Sequence, residues 1–566
     1  MGYSRCVTST ILVIGGVAGG MSAAARLRRL DEDAHIIVLE RGPHVSFANC
    51  GLPYYVGGEI ADQSALLVQT PESLAASLAL DVRPGHDVVG IDPAAKTVQV
   101  RTSDGQTELA YDVLIVSPGV VAARPPVPGL DHPLVHTLRT VDDAIALREL
   151  AQGATRAVVL GAGFIGLEAA EALRGRGIDV DLIELADHVL PPLDAEPAWW
   201  VTSELKRLGI RVHTSTSVTG IADADGRARV TASDGTVVDA DLVVLSAGTR
   251  PDTAVFEAAG MACERGSIVV DDHGRTNLPD VYAAGDATVS VDAVTAVRRP
   301  VQLAGPANRA GRLVADALRQ ESPRRIPRPL GTAIVRVGEL AAAITGANRA
   351  ALTAAGREFA TIRIHPADHA GYFPGATTMH LLVHIDPSTG QILGAQGVGA
   401  NGVDKRIDVL ATAMRGGLRA PDLMDLDLCY APPFGSAKDP VTMIGFVADN
   451  VLTGQTTLAQ VEDLEQLRAQ ALVLDVRSAG EFASGHIPEA VNIPHTQLRG
   501  RLDEVRQLAG GRAVTTVCGV GVRSYIAQRV LSAAGFQASS LAGGMTSVRA
   551  WFGDDADAVL VKEDAR

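Results

Sequence analysis

Two glycine-rich strand–turn–helix units constrain this chain more than any other feature. The first runs Ile11-Leu12-Val13-Ile14-Gly15, turns through Gly16-Val17-Ala18-Gly19-Gly20, and continues with helical periodicity from Ala23 to Leu30. An apolar strand from His35 to Leu39 follows and ends in Glu40. The second unit has the same plan: Ala157 to Leu160, the turn Gly161-Ala162-Gly163-Phe164-Ile165-Gly166, a helix to about Arg174 and a strand ending in Glu184. Each reads as a right-handed βαβ crossover. A glycine turn that opens a helix lets backbone N–H groups approach a pyrophosphate, and the helix dipole favours its charge. Glu40 lies 20 residues after Gly20, and Glu184 lies 18 after Gly166, the spacing at which a carboxylate reaches a ribose hydroxyl. One such turn would be a weak signal, because plain α/β domains also contain them. Two complete units point to duplicated dinucleotide-binding domains.

The chain has 566 residues, too many for one core and enough for about four domains. Between the two units lie the alternating stretches Thr97 to Val100 and Tyr111 to Val116, the turn Ser117-Pro118-Gly119 and a proline-rich linker from Arg124 to Gly129. A third glycine turn, Gly285-Asp286, ends another strand. The expected fold class is α/β. Residues 1–122 and 251–328 form one Rossmann-like domain and 123–250 a second; 329–452 form an α+β domain, and 456–566 a final α/β domain.

The net charge of −15 argues against nucleic acid or an anionic membrane as the main partner. No uncharged apolar run approaches the roughly 18 residues of a membrane span, and the first residues lack a signal-peptide pattern, so the expected location is the cytoplasm. The five cysteines, Cys6, Cys50, Cys263, Cys429 and Cys518, are scattered without a CxxC pair, so neither a disulfide framework nor a metal site is expected.

Cys50 stands in Ser46-Phe47-Ala48-Asn49-Cys50-Gly51-Leu52-Pro53-Tyr54, just after the first βαβ strand. Helix-compatible residues after it would place the sulfur near a helix N-terminus, which lowers a thiol's pKa. An isolated cysteine is ordinarily a buried packing residue; here the surrounding motifs change that reading.

Together these motifs resemble the two-dinucleotide-binding flavoproteins. The Cys50 stretch resembles their single-cysteine branch among the pyridine nucleotide–disulfide oxidoreductases: coenzyme A disulfide reductases, NADH peroxidases and NADH oxidases. The likeness covers roughly residues 10 to 450. It implies FAD held by Gly15, Val17, Ala18, Gly20, Glu40, Arg41, Asn49, Ser117, Gly119, Gly285, Asp286, Leu303 and Ala304. It likewise implies a nicotinamide nucleotide at Gly161, Gly163, Phe164, Ile165, Gly166, Glu184 and Gly248. Val17 stands where the strict motif has its middle glycine. Glu184 would accept the 2′-hydroxyl of NADH and repel the 2′-phosphate of NADPH, so NADH is the expected donor.

Dithiol members carry a CxxxxC pair, whereas positions 45 and 55 here are Val45 and Tyr55, so Cys50 is expected to act alone. Peroxidases and oxidases of the branch carry a histidine where this chain has Ala18. Gly371-Tyr372-Phe373-Pro374-Gly375 and Cys429-Tyr430-Ala431-Pro432-Pro433 resemble the paired tyrosine motifs of coenzyme A disulfide reductases, which implies a homodimer with Tyr372 and Tyr430 serving the partner's cysteine. Ser22, Arg26, Ser46, Asn49 and Lys438 match coenzyme A-binding positions, but Leu78 replaces a lysine and Asn308 a histidine. Coenzyme A is therefore a candidate ligand, with smaller sulfur substrates as the alternative.

At the C-terminus, Leu474-Asp475-Val476-Arg477, Glu481-Phe482, Gly485-His486-Ile487-Pro488 and Asn492-Ile493-Pro494 resemble the rhodanese signature. A strand from Ala513 to Val517 delivers Cys518 into the loop Cys518-Gly519-Val520-Gly521-Val522-Arg523. Inward backbone N–H groups there would form an anion nest able to depress a thiol pKa and hold a persulfide, with Arg523 beside it. The expected activity is NADH-dependent reduction of persulfide, polysulfide or coenzyme A-linked sulfur, with release of sulfide. The alternatives are coenzyme A disulfide reduction with an auxiliary rhodanese domain, thiosulfate sulfurtransfer, or a flavin-bearing redox sensor.

Overall fold

The structure, a computed structural model, describes residues 9–563; Cys6 lies outside them. The chain divides into two compact units, residues up to 185 with 208–331, and 186–207 with 332 onwards.

In the first unit the strand Thr10–Ile14 is buried along nearly its whole length, because Ile11 and Val13 pack in a core with the helix residues Leu27 and Val314, and Leu12 and Ile14 in another with Val88, Val98 and Val100 of antiparallel strands. It lies at the centre of a parallel sheet ordered Val281–Ala283, Val113–Val116, Thr10–Ile14, His35–Glu40, Asp81–Pro84. A second parallel sheet is ordered Arg211–His213, Asp179–Ile183, Arg156–Leu160, Leu242–Leu245, Val135–His136. In both sheets the glycine turn leaves the carboxyl end of the central strand, where open α/β sheets bind their ligands. Between them the antiparallel pairing of Thr249–Pro251 with Val120–Ala122 forms the crossing that follows Ser117-Pro118-Gly119.

The first helix spans Ala18–Leu30, beginning before the expected Ala23. Gly19 and Gly20 are poor helix formers that read as turn in sequence, yet both lie inside the helix for steric reasons. A Cβ on Gly20 would stand 1.9 Å from the Gly15 carbonyl oxygen, and the helix Ala304–Arg319 crosses so closely that a Cβ on Gly311 would stand 2.0 Å from the Gly19 carbonyl oxygen.

The second unit holds a five-stranded antiparallel sheet, ordered Ala333–Val337, Leu340–Gly346, Ile392–Gly399, Met379–Ile385, Ala360–Ile364. The helices Val403–Gly416 and Pro440–Leu452 share its apolar core. The unit also holds a parallel sheet ordered Leu458–Ala459, Ala538–Leu541, Ala513–Val517, Ala471–Asp475, Val491–Asn492. The helix Ala195–Arg207 follows the second nucleotide unit in sequence but belongs by its contacts to this second unit. No helix among the described residues is long and apolar enough to cross a membrane.

Candidate active site

The two glycine turns are built alike at the atomic level. Gly15 and Gly161 adopt φ of +100° and +99°, open to glycine and strained for other residues. Gly16 N–H donates to Glu40 Oε2 at 2.8 Å, and Ala162 N–H donates to Glu184 Oε2 at 2.6 Å. The second oxygen of Glu40 accepts from Gly42 N–H at 2.9 Å. Each carboxylate is thus oriented by the turn it serves. A Cβ on Gly166 would stand 1.9 Å from the Gly161 carbonyl oxygen, whereas one on Gly163 would meet open space beside the turn.

Around the first turn, Ser117 Oγ lies against both Gly19 and Gly285, so the strand end Val116-Ser117 and the Gly285-Asp286 turn converge there. Asp286 Oδ1 and Asn49 Oδ1 are buried without a hydrogen-bond partner. Two orphaned acceptors at a glycine cradle fit a ligand that carries hydroxyls and N–H groups, as a flavin with its ribityl chain does. Burial raises the Asp286 carboxyl above its usual value, and Arg139 partly offsets this. Leu303 precedes the helix Ala304–Arg319, and Arg41 pairs with Asp252. Gly119 and Gly248, with φ of +69° and +93°, have open space where a side chain would stand.

Cys50 sits in the short turn Asn49–Gly51 that leads into the helix Leu52–Gly57. Its thiol is pushed up, contrary to the lowering expected from a helix terminus. Although the residue is exposed, desolvation by the protein packed around its sulfur is the largest cause, followed by the carboxylates of Glu168 and Asp286, while Arg139 pulls it down. A helix of six residues has little dipole to oppose two nearby carboxylates. Tyr54 donates its hydroxyl to Glu168 Oε1 at 3.1 Å. Glu168 and Arg139 were missed in the sequence. Glu168 has a signal, since it follows Gly166 by two positions on the same helix; Arg139 has none, because only the fold brings it to Cys50.

Among the candidate coenzyme A contacts, Ser22 donates to Asn308 Oδ1 at 2.6 Å, and Arg26 is held by Asp316 at 2.7 Å. Ser46 adopts φ of +46° and donates its N–H to the Gly16 carbonyl. Lys438 is exposed, whereas Leu78 packs at the margin of the first unit's core. In the second unit the hydroxyls of Tyr372 and Tyr430 meet at 3.1 Å, and both rings are exposed.

Cys518 ends the strand Ala513–Val517 and is buried. Gly521 N–H donates to its sulfur at 3.2 Å, and the thiol points to Ser524 Oγ at 3.4 Å. Arg523 lies on the helix Val522–Ala533, with both Nη atoms donating to Glu481 at 2.7 and 2.8 Å. Gly544 permits the loop to close: a Cβ there would stand 2.3 Å from the Cys518 carbonyl oxygen. Met545 and Thr546 then donate their N–H groups to the carbonyls of Cys518 and Gly519.

The family model of the pyridine nucleotide-disulphide oxidoreductases matches residues 9–311, and the model of their dimerisation domain matches 332–440. This chain belongs to the pyridine nucleotide-disulphide oxidoreductases. The rhodanese-like domain model matches residues 460–550. A coenzyme A disulfide reductase of Staphylococcus haemolyticus is 34% identical over 443 residues, which cover 77% of this chain and 99% of that protein. The reduced Bacillus anthracis CoADR-RHD superposes with a TM-score of 0.94 at 37% identity, covering 98% of this chain and 99% of that one. A NAD-dependent persulfide reductase from A. fulgidus superposes with a TM-score of 0.89 at 36% identity, covering 95% and 99%. As a member of this oxidoreductase family the protein is an NAD(P)H-dependent flavoprotein oxidoreductase, with a dimerisation domain and a C-terminal rhodanese domain.

Proposed function

We propose that the protein is an NADH-dependent persulfide reductase that releases sulfide, with Cys50 as its redox cysteine and Cys518 as its sulfur acceptor. The observation that carries this reading is a second free cysteine at the mouth of a glycine loop: Gly521 N–H is aimed at the buried Cys518 sulfur in the same chain as Cys50. The likeness to a persulfide reductase along 95% of the chain supports it. FAD would be held by Gly15, Gly20, Glu40, Asn49, Ser117, Gly285 and Asp286, and the nicotinamide nucleotide by Gly161, Gly163, Gly166 and Glu184. FAD, when bound, supplies the path for two electrons from NADH to Cys50.

The chain's own residues do the sulfur chemistry. Cys50 thiolate attacks the sulfane sulfur of R–S–SH; the S–S bond breaks, RS⁻ leaves with the electron pair, and Cys50 carries the persulfide Cys50–S–SH. Two electrons convert that persulfide to Cys50–S⁻ and HS⁻. Arg139 stabilises the thiolate, against the opposing pull of Glu168 and Asp286. NADH preference is supported by Glu184, a carboxylate fixed by Ala162 N–H at the end of the second nucleotide unit, which would repel a 2′-phosphate. Dimerisation and a cytoplasmic setting are part of the same reading; the exposed Tyr372–Tyr430 pair on the dimerisation domain supports the first, and scattered free cysteines the second.

Replacing Cys50 by Ser is expected to abolish persulfide-dependent NADH oxidation while FAD stays bound, read from sulfide release and the flavin spectrum. Full turnover by Cys50→Ser would refute the scheme. The likeness to the staphylococcal enzyme favours a second reading, reduction of coenzyme A disulfide, which the same assay separates by measuring thiol release in place of sulfide.

A further inference from the structure

The surroundings of Cys518 carry information about the sulfur donor as well as about the acceptor. Cys518 is only 1% exposed, so a donor must bring its sulfane sulfur down to it. Val520 and Val522 flank Gly521, the residue whose N–H meets the sulfur, and they are 40% and 55% exposed. Ile526, one turn further along the helix from Val522 and on the same face, is also exposed. The approach to the sulfur is therefore bordered by aliphatic side chains.

The guanidinium next to this approach is already engaged. Arg523 Nη2 lies against Gly519 and the charge faces Cys518, but each Nη atom donates to Glu481 in a bidentate pair. Glu481 is itself fixed from the other side. It is the N3 residue of the helix Ala479–Ala483, where it forms a capping box with Ser478 and accepts from the Ser478 N–H at 3.1 Å and its hydroxyl at 2.8 Å. Arg523 first, with Ser478, holds the Glu481 carboxyl well below the usual carboxylate range, so it stays ionised. A positive charge that would attract a doubly charged donor is thereby opposed by a carboxylate that the local fold holds in place.

We infer that Glu481 is the specificity-determining residue of the rhodanese domain. It turns Cys518 away from thiosulfate and towards organic persulfides whose sulfur-bearing group is uncharged. The inference rests on the reading of Cys518 as a sulfur acceptor. With an organic persulfide, Cys518–S⁻ attacks the terminal sulfur of R–S–SH, the S–S bond breaks, RS⁻ leaves with the electron pair, and Cys518–S–SH retains the proton. With thiosulfate, the same attack releases SO₃²⁻ and leaves Cys518–S–S⁻. The two reactions form the same bond. They differ in that thiosulfate brings two negative charges beside the Glu481 carboxylate that pairs with the guanidinium, and its sulfonate gains nothing from Val520 and Val522.

Glu481→Gln isolates the charge, because glutamine also serves at N3 of a capping box and so preserves the helix start. Loading of Cys518 is followed in the full-length holoenzyme by the mass of the trapped persulfidated peptide that contains Cys518, using the persulfide of N-acetylcysteamine and thiosulfate as separate donors. The wild type is expected to load from the persulfide in clear preference to thiosulfate. In Glu481→Gln the ratio of kcat/KM for thiosulfate to that for the persulfide should rise about tenfold, the worth of one charge-assisted contact. A change in packing alone would lower both rates and leave the ratio in place. Equal loading of the wild type by both donors, or a ratio unchanged in Glu481→Gln, overturns the role of Glu481 while leaving Cys518 an acceptor. Wild-type protein that takes sulfur from neither donor removes the acceptor reading, and this inference with it. If Glu481→Gln does not fold, the wild-type donor ratio alone still decides: preference for thiosulfate overturns the inference.

Discussion

Cys50 is governed by charges that come from distant parts of one unit. Burial, Glu168 and Asp286 all push its thiol up, and Arg139 alone among the named causes pulls it down. A carboxylate near a thiol disfavours the thiolate, so removing its charge lowers the thiol pKa. Glu168→Gln should therefore move the pH profile of Cys50 alkylation by iodoacetamide to lower pH. Arg139→Met should move it to higher pH. Peptide mass mapping separates Cys50 from Cys429, which is exposed as well. Coincident profiles for wild type and Glu168→Gln would show that the Glu168 charge has no part in setting the thiol. The same charges explain why reading Cys50 from its neighbours in sequence got the sign wrong. The helix after it is local and visible, whereas Glu168 and Asp286 arrive from other elements.

At the scale of elements, the glycine turns are where sequence and structure meet most directly. Gly20 and Gly166 face the carbonyls of Gly15 and Gly161 at the same 1.9 Å for an added Cβ, so each helix can approach its strand only with hydrogen at that position. Gly166→Ala is expected to open the second turn and block hydride delivery while FAD remains bound to the first. Stopped-flow reduction by NADH would show slow flavin bleaching with a normal flavin absorbance at the start; a wild-type reduction rate would mean the turn tolerates the methyl. The strands around these turns were legible because they are continuous apolar runs. The start of the first helix was not, since glycine signals a turn by propensity while Gly19 and Gly20 are required in the helix by close approach. The strand Ala513–Val517 and its delivery of Cys518 were also legible, from an apolar run that stops at a glycine loop. The pairing of Arg523 with Glu481 was not: the two residues are 42 positions apart and adjoin only after the sheet has formed. Motifs thus expose the local geometry of a site, while its electrostatics depend on tertiary neighbours that no spacing records.

At the scale of the second unit, a buried polar network ties the rhodanese domain to the dimerisation sheet. Arg363, on the strand Ala360–Ile364, donates to Glu196 and to Glu462, each at 2.6 Å, with its side chain only 2% exposed. Glu462 belongs to the rhodanese end of the chain, as does Ser547, which donates to Glu196 Oε1 and meets His365 Nε2 at 2.9 Å. His365 Nδ1 in turn faces His380 Nδ1 at 2.9 Å, and Trp200 stacks on His380 at 3.8 Å. Two facing ring nitrogens can share a hydrogen bond only if one of them lacks a proton. Burial is the main cause that lowers both histidines, His365 to about 3 and His380 to about 4, from an ordinary value of 6.5. The sign follows from proton counting. Between pH 6.5 and 4 the unfolded chain takes up protons that the folded one refuses, so stability falls on acidification. The expected slope is about 1.4 kcal/mol per pH unit for each histidine. Calorimetry from pH 7 to 5 should thus show a steeper loss of Tm in the wild type than in the double variant His365→Asn, His380→Gln. Equal slopes would mean that other groups carry the acid sensitivity. Arg363→Met tests the same network without a titration. It leaves the buried Glu196 without its cation and Glu462 with Arg349 alone, so it should cost about 3–5 kcal/mol in chemical denaturation. The rhodanese and dimerisation segments should lose their joint transition, because the residue that holds both carboxylates is gone. A single unshifted transition in Arg363→Met would show that the apolar contacts of the second unit suffice to couple its two sheets.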